Sequence, residues 1–316
     1  MINPELTAIA RSILERDYQS DESIKTLSPL KGGEWSAAHK FSIDGRDFVI
    51  RVSHTADNFR RDSAAAGWSS PALPIPQIIK LDSYQEHYYA VSPFFRGEAF
   101  ESLSAAELER AIPGFLSMMC ALRSVNLDST TGFGTLTAAG SGTFRSWQEA
   151  LLDVNSDRAE NLNHGWSKAL DRFPEARRRY DRFYEKLSRL VKYCPEQRRV
   201  IHSDLLYANL LMHDGKISAV LDWGCAMIGD PVYDIAIFAF FEPWFPAFTQ
   251  VGLIEKMRRS FLDESPDNGQ DFGRRAAACQ IHLTLGNVAF CVLSDGKFDF
   301  NEYLDRLDAV LDEAGL

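Results

Sequence analysis

Between Val200 and Gly224 the sequence sets out a group of side chains able to do chemistry together: His202, Asp204 and Asn209, then Asp222 opening an Asp-Trp-Gly triplet. Asp204 lies in a polar loop behind an apolar entry. Asn209, five residues on, can reach back to the same cavity. The turn Asp214-Gly215 then folds a short hairpin that returns Asp222 to that place. Two carboxylates and an amide oxygen converge there. Hard oxygen donors of this kind suit Mg²⁺, which takes one or two carboxylates and completes its shell with phosphate and water. One carboxylate is left to accept a proton from an attacking hydroxyl. Phosphoryl transfer asks for such an arrangement, because its transition state needs charge neutralisation and in-line positioning more than covalent chemistry. An isolated loop Asp is usually a turn or cap residue. The joint pattern, His-x-Asp-x-x-x-x-Asn with Asp-Trp-Gly thirteen residues after the Asn, is what separates this segment from that ordinary reading.

The elements that must position these groups read in two parts. Asn3-Pro4 starts a helix that carries Leu6, Ile9, Ile13 and Leu14 at helical spacing. A strand-rich stretch follows: Phe41 and Ile43 alternate, Asp44-Gly45 supplies a two-residue hairpin turn, and Phe48, Ile50 and Val52 alternate on the return. A helix is expected over 57–69, then strands over Gln77–Leu81 and His87–Val91. Beyond Pro93–Gly97 the pattern turns helical, with a capping box at Ser104–Glu107 and one long periodic run from Trp166 to Tyr193. This predicts a sheet-bearing N-terminal lobe, residues 1–95, and a larger, mainly helical lobe, residues 96–316.

Composition narrows the function. The 316 residues are 45% hydrophobic and carry a formal charge of -10. Such acidity disfavours nucleic acid and anionic membranes and favours cationic partners. The five cysteines have no zinc-like or disulfide-framework spacing, which suits a reducing cytoplasm. The N-terminus lacks the basic start and long apolar core of a signal peptide. The apolar run Ile235–Phe241 is too short to span a bilayer.

The segment His202–Asp222, followed by Gly229-Asp230-Pro231-Val-Tyr-Asp234, resembles the motifs of the aminoglycoside phosphotransferase family, relatives of the protein kinases. Within it the chain is most similar to the hygromycin B phosphotransferases. Shared pieces include Ala72-Leu-Pro-Ile-Pro76, Gly132-Phe-Gly134 and Asp295-Gly-Lys-Phe298, in the same order. The resemblance implies a two-lobed, protein-kinase-like α+β fold with an antiparallel sheet in the small lobe. It implies that Asp204 is the catalytic base, that Asn209 and Asp222 hold Mg²⁺, and that His202 and Asp234 hold the loop. It implies ATP, or GTP, as phosphoryl donor and a small polycationic aminoglycoside as acceptor. A protein kinase fits less well: the span from Asp222 to Gly229 leaves no room for a long activation loop, and no Ala-Pro-Glu follows.

The small lobe departs from the kinase pattern. Arg51 stands where a phosphate-contacting Lys is expected, with Asp57 and Asp62 as candidate acidic partners. Gly32-Gly33-Glu34-Trp35-Ser36 is a candidate loop over the phosphates. By analogy of fold, adenine lies against backbone of Ser92 to Phe95, Phe94 included. The ring of Trp223 reads as core. Glu242 either faces the acceptor's amines, with Asp234 nearby in sequence, or is a solvated residue. Two rival functions stand beside this one: a kinase of another small hydroxylated metabolite, and a catalytically silent nucleotide-binding module.

Overall fold

The computed structural model describes residues 4–18, 25–30, 36–161, 163–294 and 296–316. The chain forms two compact units. The first gathers Met1–Ala121, Leu136–Gly140 and Asp204–Ala226; the second gathers Leu122–Thr135, Ser141–Ser203 and Met227–Leu316.

The first unit is built on a five-stranded antiparallel sheet, order β1-β2-β3-β5-β4. Its strands are β1 (Ser28–Pro29), β2 (Ala37–Ile43), β3 (Arg46–Ser53), β4 (Lys80–Tyr84) and β5 (His87–Pro93). Asp44 and Gly45 both take positive φ, 51° and 71°, which is what a two-residue turn between twisted strands requires. That turn sets the register Ile43↔Arg46 and, at the far end, Ala38↔Arg51. Helix α1 (Pro4–Asp17) lays Leu6, Ala10, Ile13 and Leu14 on the sheet, against Phe41, Ile50, Val52, Tyr89 and Val91. The expected cap Asn3 lies outside the described residues. Helix α2 (Asp57–Ala66) ends earlier than the expected Ser69, where the Gly67 N–H turns back to Ala64 O. The strand expected at Gln77 begins instead at Lys80. The Gln77 side chain is tied to Ala66 O, which holds that segment to the end of α2 rather than in the ladder.

A second, three-stranded sheet in the same unit has the order β10-β9-β6. It comprises β6 (Glu98–Ala99), β9 (Leu210–His213) and β10 (Lys216–Val220). The Asp214-Gly215 turn has φ of 49° and 72°. This is the small hairpin expected after the polar loop. Helix α3 (Ala105–Arg123) opens with the expected capping box: Ser104 N donates to Glu107 Oε2 at 2.9 Å and Glu107 N to Ser104 Oγ at 3.4 Å.

The second unit is mainly helical. A small sheet, β7 (Gly134–Thr135), β11 (Met227–Gly229) and β8 (Arg199–Ile201), leads into Asp230. The helical periodicity read from Trp166 to Tyr193 is carried by two helices, α5 (Trp166–Leu170) and α6 (Pro174–Leu190), because Pro174 cannot continue a helix but starts one well. Helix α4 (Trp147–Leu152) precedes them. Helix α7 (Val232–Phe241) is buried almost all round, with Phe238, Phe240 and Phe241 in the core. It packs on α10 (Phe272–Cys291), with α8 (Pro246–Gln250), α9 (Leu253–Glu264) and α11 (Phe300–Glu313) completing the unit. Arg275 grips Asp230 through two bonds of 2.8 and 2.7 Å, both groups fully buried. Gly229 lies so close to Trp147 that any side chain there would collide with the ring. These contacts account for the Gly-Asp-Pro spacing as a structural joint.

Candidate active site

Strand β8 delivers His202 into the second unit's core, where it has no exposure. The Asp234 carboxylate, on α7, accepts the backbone N–H of His202 at 3.1 Å and of Ser203 at 2.8 Å. Burial raises the Asp234 pKa to about 6, against the pull of those two N–H groups and of Arg123. The segment immediately before Asp204 is thereby fixed by a carboxylate whose two oxygens are both engaged, with Ser203 held at a φ of 63°.

In the first unit, Asp204 opens the loop 204–209. Leu205 and Leu206 are buried and anchor it. Tyr207 and Ala208 then take left-handed conformations, φ 60° and 69°, which turn the chain back. The Asn209 amide nitrogen consequently donates to Asp204 twice, to its carbonyl at 2.8 Å and to Oδ2 at 2.9 Å. The nitrogen being so occupied, the amide oxygen is the group left to face a cation. At the end of β10, Asp222 also takes a left-handed φ of 54°, and its Oδ1 accepts the Gly224 N–H at 3.3 Å.

The electrostatics of this corner are lopsided. Burial and the charge of Asp222 raise the Asp204 pKa to about 8. Burial and the charge of Asp62 raise that of Asp222, with Arg51 opposing. A second positive charge would relieve both carboxylates. Among the described residues no cluster of three or more His, Cys, Asp or Glu is placed to hold a metal. The set present, one or two carboxylate oxygens with an amide oxygen, fits Mg²⁺, which is bound sparsely by protein and completed by phosphates and water.

Arg51 on β3 ion-pairs with Asp62 on α2, so the acidic partner is Asp62. Asp57, in the first turn of α2, instead meets the exposed Arg60 at 3.2 Å. Burial pulls the Arg51 pKa down, but Asp62 and Asp222 outweigh it and keep the guanidinium charged. The other oxygen of Asp62 accepts the Trp223 backbone N–H at 2.8 Å. Arg61, the next residue back, donates to Gly224 O at 2.9 Å, and Gly224 sits flat on Asn58. Helix α2 thus holds the Asp-Trp-Gly triplet on three sides. The Trp223 ring is core, as expected.

A cavity of about 370 Å³ runs through the first unit. Arg51, Asp62, Asn209 and Asp222 stand in its wall, and so do Ser36, Ser92, Phe94 and Phe95. Val49, Ile75 and Leu211 contribute apolar surface to the same space. Gly32 to Trp35 of the expected phosphate loop lie outside the described residues; Ser36 is described. Asp204 belongs to the same unit, whereas His202, Asp234 and Glu242 belong to the other. Glu242 starts a short turn after α7 and is half-buried. Sequence reasoning missed Asn58, Arg61 and Tyr207. Tyr207 lines the cavity with 56% exposure, unusual for an aromatic, and only its place between Asp204 and Asn209 could have drawn attention to it.

A model of the phosphotransferase enzyme family matches residues 26–262. The chain belongs to that family. It is similar to hygromycin-B 4-O-kinase of Escherichia coli, 29% identical over 314 residues, which span 98% of this chain and 87% of that protein. The crystal structure of aminoglycoside phosphotransferase APH(4)-Ia matches with a TM-score of 0.82 at 27% identity, over 98% of this chain and 99% of the other. A thermostable mutant of APH(4)-Ia, in ternary complex with AMP-PNP and hygromycin B, matches at 0.81 and 27% identity, over 98% and 99% of the two chains. A choline/ethanolamine kinase family protein from Mesorhizobium loti shares the fold only, with a TM-score of 0.60 at 17% identity over 97% of this chain and 95% of that one. The protein-kinase-like α+β fold expected from the motifs is therefore the fold of this phosphotransferase. No helix among the described residues is long and apolar enough to cross a membrane.

Proposed function

We propose that this phosphotransferase moves the terminal phosphoryl group of ATP, or GTP, to a hydroxyl of an aminoglycoside, hygromycin B or a relative, and so confers resistance to it. The observation that carries the reading is the Asp204–Asn209 pair in one unit with Asp222 and the Arg51–Asp62 ion pair, the latter three groups in the wall of one cavity. The likeness to hygromycin-B 4-O-kinase supports the choice of acceptor.

The nucleotide base lies against Ser92 to Phe95 and the apolar wall; Arg51 and Ser36 meet its phosphates. Mg²⁺, held by Asp222 and the Asn209 amide oxygen, would supply positive charge against the phosphate oxygens. Asp204 orients the acceptor hydroxyl and takes its proton as the oxygen bonds to the γ-phosphorus and the bond to the β-phosphate oxygen breaks, leaving the nucleoside diphosphate. His202 and Asp234 serve by fixing the backbone that leads into Asp204. Glu242 adds negative charge for the acceptor's amines; Asp234, expected beside it, is instead buried with both oxygens held by the His202 and Ser203 N–H groups and does not face the acceptor. In this scheme residues 1–95 serve mainly the nucleotide and 96–316 catalysis and the acceptor. The five free cysteines suit action in the cytoplasm.

Nucleotide consumption across a panel of aminoglycosides, neutral sugars and choline tests the acceptor. Hygromycin B should stimulate consumption, and kcat/KM for it should fall with salt more steeply than kcat, since attraction of a polycation to an acidic protein is screened over about 8 Å at physiological ionic strength. Stimulation by choline or a neutral sugar but by no aminoglycoside would overturn the choice of acceptor and leave the kinase chemistry standing.

A further inference from the structure

We infer that Glu101 is a positioning residue for the catalytic loop: it holds Tyr207 and Ala208 in the left-handed turn that brings Asn209 back onto Asp204. The inference rests on the reading of Asp204 and Asn209 given above.

The first observation is strain. Two consecutive residues other than glycine adopt positive φ, at 60° and 69°. Such conformations cost free energy and persist where the surroundings impose them. The second is the group that imposes this one. Glu101 Oε1 accepts the Ala208 N–H at 2.6 Å, across 107 residues of chain. The Tyr207 backbone bonds to the same carboxylate. Successive N–H groups in a left-handed turn form a concave seat for an anion, and here the anion is a side chain of the protein itself.

The third observation is the anchoring of Glu101. It follows Phe100, which is fully buried and stacked on Phe115 with ring centres 4.6 Å apart. Strand β6 just before it pairs with β9, Ala99 opposite Leu211, and β9 begins at the residue after Asn209. Gly97 makes that contact tight: a methyl group there would stand 2.9 Å from Leu211 Cβ and from Met212 O. The short turn that carries Glu101 therefore leaves directly from the partner of the strand that follows the catalytic loop, while the Glu101 side chain holds the loop's turn. The fourth observation is that Glu101 Oε2 is buried with no hydrogen-bond partner among the described residues. A carboxylate placed for general stability would normally satisfy both oxygens. This one is held for what Oε1 does.

The experiment compares Glu101→Ala, Glu101→Gln, Glu101→Ala with Ala208→Gly, and Asp204→Asn in the full chain. The readouts are kcat and nucleotide KM with hygromycin B or water as acceptor, the Mg²⁺ dependence, and the thermal shift with AMP-PNP and Mg²⁺. Glu101→Ala should lower kcat about 10²-fold, the size of effect expected when catalytic groups are misplaced by about 1 Å. It should raise the Mg²⁺ requirement, through Asn209, while nucleotide KM at saturating Mg²⁺ stays nearly constant. Glu101→Gln should keep most activity, because its amide oxygen still accepts the Ala208 N–H. Adding Ala208→Gly should recover about tenfold of the loss, since glycine takes the left-handed conformation without a holder. Wild-type kcat and Mg²⁺ dependence in Glu101→Ala, with Asp204→Asn inactive, would overturn the inference alone. Activity in Asp204→Asn as well would instead overturn the reading on which it rests. Should Glu101→Ala fail to fold, the double variant is compared with Glu101→Gln: a kcat within about tenfold of Glu101→Gln supports the inference, and a folded double variant about 10²-fold below it overturns it.

Discussion

Asp62 Oδ1 accepts the backbone N–H of Trp223 at 2.8 Å while its other oxygen pairs with Arg51. One carboxylate on α2 therefore ties Arg51 of β3 to the triplet that carries Asp222. Arg51, which stands where a Lys was expected, is paired with Asp62.

Loss of that carboxylate should be felt at both ends. Asp62→Ala leaves a partly buried Arg51 charge without its partner and the Trp223 N–H without its acceptor. It should destabilise the protein by about 3 kcal/mol, as breaking a buried pair does. It should also raise the nucleotide KM. Arg51→Ala should raise the nucleotide KM as well, and Arg51→Lys should restore part of it, since the charge returns without the planar fork. Steady-state kinetics check this. Equal nucleotide kinetics for Arg51→Ala and wild type would mean that Arg51 only pairs with Asp62.

The metal assignment makes a separate prediction. Asp222→Ala should weaken Mg²⁺–nucleotide binding itself, because a carboxylate donor is lost beside triphosphate charge. Asn209→Ala should do so more mildly, and it also releases Asp204 from its two amide bonds. Mg²⁺ titrations at fixed nucleotide read both effects. Unchanged metal dependence in the two variants would remove these residues from the metal site.

Asp204 should cost stability for its chemistry. Its pKa is raised to about 8 in the folded protein, by burial first and the Asp222 charge second. In the unfolded chain it returns to the ordinary carboxylate range. Between those values the folded state binds the extra proton, so the Asp204 contribution to stability is present at acid pH and is lost as pH rises towards 8. Asp204→Asn removes that dependence. The variant should melt at a higher temperature than wild type at pH 8 and by a smaller margin at pH 5. Thermal melts at the two pH values, without nucleotide or metal, measure it. A margin that shrinks with rising pH would contradict the electrostatic account of the site.

Much of this was legible along the chain, for reasons that differ from residue to residue. The β2–β3 hairpin was readable because Asp44-Gly45 tolerates positive φ and the flanking apolar residues alternate. The fold-back of Asn209 towards Asp204, and the hairpin ending at Asp222, followed from turn residues set between apolar runs. The partner of Arg51 did not, because Asp57 and Asp62 lie on one short helix and only its packing decides that Asp62 faces inward. The break at Pro174 was hidden by an apolar periodicity that resumes in phase after it. Glu101 left no local trace, since its contact with Ala208 joins segments far apart in the chain. Such pairings are created by the β6–β9 ladder and exist only in the folded protein.

The most direct test of the central claim is the turnover of Asp204→Asn, measured as nucleotide consumption with hygromycin B. The substitution keeps the side chain's size and removes its capacity to accept the proton. Turnover should fall by about 10²- to 10⁴-fold, the usual contribution of a general base. Binding of AMP-PNP with Mg²⁺ should survive. A kcat near that of wild type, with binding intact, would contradict the assignment of Asp204 as the base.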